Sequence, residues 1–147
     1  MRICEEKDNK KQYLDLLLLA DEQEDMIDRY LDRGTMYILK EGGARAECVV
    51  TREESNILEI KNLAVDPAWQ RCGCGRALID FLVKTYAGQY AALRVGTGDS
   101  PLTIPFYEAC GFHRVGRKKN FFLEHYDHSI YECGVRLTDM IYLERAL

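Results

Sequence analysis

Apolar positions along the chain follow two periods, and the switches between them mark the elements. Residues 10–20 carry Tyr13, Leu14, Leu16, Leu17 and Leu18, and residues 22–33 carry Met26, Ile27, Tyr30 and Leu31. Spacings of three and four predict two amphipathic helices. The second has Glu24, Asp25, Asp28 and Asp32 on its other face and Gly34 at its end, where a glycine commonly stops a helix. From there the pattern shortens. Met36-Tyr37-Ile38-Leu39 within 35–41, Cys48-Val49-Val50 within 44–51 and the run 57–65 read as three strands, joined by a hairpin at Gly42-Gly43 and a turn over 53–56. Asp66-Pro67 ends the third, since proline has no N–H for a ladder. Helical spacing returns over 75–86, with Ala77, Leu78, Phe81, Leu82 and Val83 turned inward. Residues 90–95 predict a further strand. Residues 102–110 predict a short helix, with Ser100 as N-cap, Pro101 at its first position and Pro105 kinking or restarting it. Segments 1–5, 112–115 and 140–143 complete a sheet. The order β-α-α-β-β-β-α-β-α-β-β is that of a mixed α/β or α+β domain.

Composition narrows the function classes. The 147 residues contain no repeat, low-complexity tract or linker, so one domain over 1–147 is expected. A net charge of −4 argues against a nucleic-acid partner and suits a cationic one such as an amine. The longest apolar run, Leu16-Leu17-Leu18-Leu19-Ala20, is far short of the roughly 20 residues that span a bilayer, so no membrane partner is expected. Met1-Arg2-Ile3-Cys4-Glu5-Glu6 is interrupted by charge and lacks a secretory-signal layout, which makes the cytoplasm the expected location. The six cysteines and three histidines are not spaced as a zinc set, so no metal is expected and the thiols read as reduced and mostly buried.

The segment Gln70-Arg71-Cys72-Gly73-Cys74-Gly75-Arg76-Ala77 lies between a strand and a helix. A helix N-terminus presents free N–H groups and the positive end of the macrodipole, and glycines let backbone approach an anion. A pyrophosphate could dock there, with Arg71 and Arg76 adding charge. The other reading of Gly-x-Gly before a helix is a tight turn. The dinucleotide pattern fails at Leu78, and there is no Gly-Lys-Ser/Thr for a Walker loop.

With Leu63-Ala64-Val65-Asp66-Pro67 before it, the loop resembles the acetyl-CoA motif Gln/Arg-x-x-Gly-x-Gly/Ala of the GNAT acetyltransferase superfamily. Phe106-Tyr107-Glu108-Ala109-Cys110-Gly111-Phe112 resembles the helix-to-strand turn of the same superfamily. The likeness is specific over 57–112 and architectural elsewhere. It implies a GNAT-like fold, a central mixed and mostly antiparallel sheet flanked by helices, and an acetyl-CoA-dependent N-acetyltransferase. The fourth strand would bulge away from the fifth, so that Leu63, Ala64 and Val65 meet the pantetheine arm and the thioester carbonyl. The N–H groups from Arg71 through Cys72, Gly73, Cys74 and Gly75 to Arg76 would hold the pyrophosphate, beside Gln70 and Ala77. Glu59 matches the family's general base and Tyr107 the acid that protonates the departing thiolate. Read without the family, Glu59 is a surface residue paired with Lys61 along the strand, and Tyr107 is a packing aromatic. Cys72 and Cys74 contribute backbone, a reactive thiol at the helix N-terminus being the alternative. Ser100 stands where many relatives have an asparagine that contacts the cofactor, and Asp99 beside it would repel phosphates. The acceptor is expected to be a small-molecule amine, with a protein lysine or N-terminus, or acyl-CoA sensing without turnover, as alternatives. Its site would lie between 10–33 and 124–132. There the acidic run 22–32 and His125, Asp127 and His128 either meet substrate or are solvated. The resemblance makes a homodimer the default assembly.

Overall fold

The computed structural model describes all residues from Met1 to Leu147. Strand β1 (Arg2–Glu6) leads through a 3-10 turn at Lys10–Tyr13 into helix α1 (Leu14–Ala20) and the single turn α2 (Glu24–Ile27). Strands β2 (Thr35–Lys40), β3 (Ala44–Glu53) and β4 (Ile57–Val65) form an antiparallel meander. Helix α3 (Cys74–Tyr86), strand β5 (Ala92–Gly98), helix α4 (Ile104–Ala109) and strand β6 (His113–Lys118) follow. The chain ends with α5 (Phe121–His125), the small hairpin β7 (Tyr131–Glu132) and β8 (Val135–Arg136), and strand β9 (Met140–Ala146). Seven strands make one sheet in the order β1-β2-β3-β4-β5-β9-β6. Only β4 and β5 run parallel, which needs the crossover through α3.

The sheet is buried on both faces because its strands alternate between two cores. Ala46, Cys48, Val50, Leu58 and Ile60 pack with Leu78, Ile79 and Leu82 of α3 and with Ile104 and Tyr107 of α4. Val49, Met36 and Ile38 face the other way, against Leu17 of α1 and Ile27, Tyr30 and Leu31. Leu17, Leu78, Ile79 and Leu82 are wholly buried, each worth about 1.5–3 kcal/mol relative to exposure.

The strands at 57–65 and 35–40 match the sequence expectation closely, and three helical segments depart from it. Residues 10–20 begin as a 3-10 turn. Residues 22–33 hold one α-helical turn and then mix i+3 bonds, as in Arg29 N–H to Met26 and Tyr30 N–H to Ile27, with i+4 bonds, as in Leu31 N–H to Ile27. The inward residues of that segment are buried as their spacing predicts, but Asp25, Asp28 and Asp32 are poor helix formers. The helix placed at 102–110 starts at Ile104, because Pro105 fits only the first turn; Pro101 and Leu102 are in a turn before it. Helix α5 and the β7–β8 hairpin have no counterpart in the sequence reading.

Candidate active site

Strand β4 carries a bulge. Val49 pairs with Asn62 and Val50 with Ile60, so Lys61 is the extra residue. On the other side of β4, parallel pairing with β5 ends at Ile60–Val95, although both strands continue. Residues 61–65 therefore have free backbone groups on the β5 side. The gap widens into a cavity of about 900 Å³, walled by Ile60 to Val65 on one strand and by Val95 to Gly98 on the other. Glycines keep the β5 wall slim: a Cβ at Gly96 would come within 2.6 Å of the Met140 sulfur, and one at Gly98 within 2.5 Å of Leu137, so either neighbour would have to shift. Leu63, Ala64 and Val65, expected at the cofactor arm, all line this gap.

The cavity runs to the N-terminus of α3. Asp66 accepts the Ala68 N–H at 2.8 Å and so folds the turn Pro67–Trp69. Gly73 then caps α3 in the left-handed region, at φ +83°. A Cβ on Gly75 would stand 3.0 Å from Phe106, which shows how closely α3 approaches α4. Gln70, Arg71, Gly73, Cys74, Gly75 and Arg76 line the cavity. Gln70 spends its amide on the Val65 carbonyl at 3.3 Å, and Arg76 reaches the Ala109 carbonyl at 3.3 Å. Neither Arg71 nor Arg76 pairs with a carboxylate, so both guanidinium charges are available beside the free N–H groups of the helix start. Cys72 is exposed and outside the cavity, and Ala77 packs against the core. Cys74 is buried, and burial pushes its thiol up, away from the reactive thiolate. Free N–H groups, two unpaired cations and a cleft between strands fit a pyrophosphate joined to an extended thiol arm.

Tyr107 lines the same cavity from α4. Its ring stacks edge-on with Phe106 and Phe112. Burial pushes the phenol up, so it holds its proton at neutral pH.

Besides Cys72 and Ala77, two more expected site residues lie outside the cavity. Glu59 is 4% exposed, and the cavity wall begins one residue beyond it, at Ile60. Its oxygens lie 2.6 Å from Lys61 Nζ and 2.6 Å from Arg94 Nε, so the pair with Lys61 read from the sequence is present but largely buried. Ser100 is also outside the main cavity. Its hydroxyl bonds Glu132 of β7 and accepts the Leu102 N–H, which fastens the hairpin to the start of α4. Asp99 is near Arg114, at 3.9 Å.

The far end of the cavity was not legible residue by residue. It is lined by Asp21 and Glu22 after α1, Asn62, Tyr126 after α5, Glu132 of β7 and Cys133 in the turn that follows it. Of the histidine candidates, His128 binds Glu22 at 2.9 Å and Asp127 at 2.6 Å, and His125 lies against the Phe121 ring; neither lines the cavity. No short motif marks Asp21 or Tyr126, which come together across 105 positions of sequence.

Comparison with known proteins agrees with this geometry. The family described as "Acetyltransferase (GNAT) domain" matches residues 32–114. A Bacillus subtilis protein described as the uncharacterised N-acetyltransferase YvbK is 36% identical over 141 residues, covering 94% of this chain and 90% of its own. The structure of a GNAT family acetyltransferase from Elizabethkingia anophelis with acetyl-CoA bound superposes with a TM-score of 0.93 at 33% identity, covering 99% of this chain and 97% of that one. The ribosomal protein bS18 alanine N-acetyltransferase of Escherichia coli is 30% identical over 98 residues, 65% of this chain and 63% of its own length.

Proposed function

The chain belongs to the GNAT superfamily and is an acetyl-CoA-dependent N-acetyltransferase; from that premise we propose that it acetylates a small-molecule primary amine by direct attack on the thioester. The observation that carries the reading is the cleft where β4 leaves β5. It holds the pyrophosphate end at α3 and residues of the β7–β8 hairpin in one cavity, which Tyr107 also lines.

In this reading the pyrophosphate rests on the start of α3 between Arg71 and Arg76, and the pantetheine arm pairs with the free edge of Leu63 to Val65. An N–H of that edge polarises the thioester carbonyl and stabilises the oxyanion. Tyr107 protonates the departing sulfur. So weak a phenolic acid works as a shuttle, giving up its proton as it takes one from the cationic nitrogen. Glu59, with both oxygens ion-paired, is proposed to hold Lys61 and Arg94 at the point of divergence. A direct role as base would require those pairs to part.

The bS18 enzyme's likeness favours one second reading, acetylation of a protein N-terminus. Release of CoA thiol from acetyl-CoA over a panel of small amines, free amino acids and peptides separates the two. Turnover of small amines but not peptides supports the proposal, and turnover of peptides alone replaces it with the second. A thermal shift with acetyl-CoA tests donor binding by itself, and no shift would overturn the donor assignment.

A further inference from the structure

The acceptor chamber is organised around one carboxylate. Asp21 directly follows α1 and lines the cavity. Its Oδ1 accepts a hydrogen bond from Tyr126 Oη at 2.7 Å, and its Oδ2 accepts one from Tyr30 Oη at 3.0 Å. Tyr30 is itself oriented: Asn62 Nδ2 donates to the phenol oxygen at 3.0 Å, so the phenol proton points to Asp21. Asn62 adjoins the β4 bulge and immediately precedes Leu63. A continuous set of side chains thus links the point of strand divergence to this carboxylate. Each Asp21 oxygen keeps a free lone pair, and no basic side chain pairs with it. A largely desolvated anion held by neutral donors is a receptor for a cation.

The surroundings narrow that cation. Leu19, Phe122, Ile130, Leu137 and Met140 make the chamber apolar, and Glu22 and Glu132 add negative charge. Lys61, the cation at this end, is paired with Glu59, which it shares with Arg94. We propose that Asp21 seats the ammonium of a small primary amine with an apolar body and no carboxylate, and takes the proton that the nitrogen must lose before attack. This rests on the acetyltransferase reading above and names its acceptor. Asp21 removes one proton from the bound ammonium. The freed lone pair forms the C–N bond at the thioester carbon, and the C–S bond breaks with its electron pair passing to sulfur. Tyr107 protonates the sulfur and recovers a proton from the nitrogen that becomes the amide. Asp21 returns its proton to solvent, leaving an amide, free CoA thiol and one proton in total.

The charge environment of Asp21 comes from several elements. Glu22 and Asp25 lie on its own segment, Tyr30 and Arg29 follow α2, Glu47 and Lys61 belong to the sheet, Tyr126 follows α5, and Glu132 is in the hairpin. His128 acts on the group through Glu22. Burial pushes the Asp21 carboxyl up from its usual value against the two phenols, so the acid limb of kcat/KM is expected above the ordinary aspartate range.

The test compares wild type, Asp21→Asn, Tyr126→Phe and Glu59→Gln with acetyl-CoA and two acceptors that differ by a carboxylate, 2-phenylethylamine and phenylalanine. Wild type is expected to favour 2-phenylethylamine at least about tenfold in kcat/KM. Asp21→Asn is expected to lower that kcat/KM about 100-fold, remove the acid limb and leave the acetyl-CoA thermal shift intact. Tyr126→Phe removes one donor to the carboxylate and moves the limb to higher pH; it decides the matter if Asp21→Asn fails to fold. Unchanged kcat/KM in Asp21→Asn, an unmoved limb in Tyr126→Phe, loss of the limb only in Glu59→Gln, or preference for phenylalanine would each overturn the proposal. So would acetyl-CoA binding with no turnover of any small amine. Absence of acetyl-CoA binding by wild type would instead overturn the donor reading beneath it.

Discussion

Glu47 is a carboxyl buried in the core of the sheet. It is wholly buried in β3, and its carboxyl has no side-chain partner; the Ala64 backbone opposite it only partly offsets the burial. Burial holds its folded-state pKa well above the usual 4.5. Above that usual value the unfolded chain ionises Glu47 while the folded protein keeps the proton, so the unfolded state binds fewer protons and stability falls as pH rises. Glu47→Gln should therefore match wild type in melting temperature near about pH 4 and exceed it by several degrees near about pH 8. Parallel pH curves for the two proteins would show that the carboxyl has a partner in solution. Tyr107 makes the complementary case, a buried phenol that lines the cavity. Tyr107→Phe should lower kcat about 100-fold with the KM for acetyl-CoA nearly unchanged. A loss confined to KM would mean that the ring only packs. Glu59 shows what residue type and position leave open: a strand glutamate looks the same in sequence whether its carboxylate faces a substrate or two cations, and here it faces Lys61 and Arg94.

At the scale of elements, the site exists because two neighbouring strands stop pairing. The bulge at Lys61 and the glycines of β5 make that separation compatible with a packed sheet. Gly98 is the sensitive point, because a Cβ there would stand 2.5 Å from Leu137, leaving no room for a side chain unless Leu137 moves. Gly98→Val should push Leu137 away, loosen the small core of Phe122, Ile130 and Leu137, and impair the acceptor chamber before the donor site. The expected readout is a raised KM for the amine with a preserved acetyl-CoA thermal shift; equal loss of both would place the damage in the sheet as a whole. Much of this level was legible. The strand at 57–65, the proline after it and the glycine-bearing helix start carry strong local signals. The α5 segment and the β7–β8 hairpin do not, because two-residue strands and a five-residue helix have too few positions to show a period.

Across the whole molecule, the sheet divides into a closed part and a divided one. Residues 36–40 of β2 are paired on both sides, whereas residues 62–65 are paired only on the β3 side. Acetyl-CoA should therefore slow hydrogen exchange at amides of 61–65 and 73–76, and leave β1 and β2 unchanged. Protection spread evenly over the sheet would mean that the cofactor acts by general stabilisation rather than by pairing with β4. The acceptor chamber depends on the same long-range assembly, since Tyr126 and Asp21 meet from segments 105 positions apart.

The sequence by itself determined the strand meander, the α3 start and the donor chemistry. Each depends on interactions within a few residues: alternation along a strand, a proline that ends it, a glycine that permits φ +83°. The tertiary structure decided which side chains reach the cavity. It turned Glu59 into an ion-paired residue behind the wall, committed Ser100 to Glu132, and placed Asp21 between two distant tyrosines. Those outcomes follow from strand register, a one-residue bulge and the closure of the C-terminal hairpin, and a shift of one residue in register sends a side chain to the opposite face of the sheet.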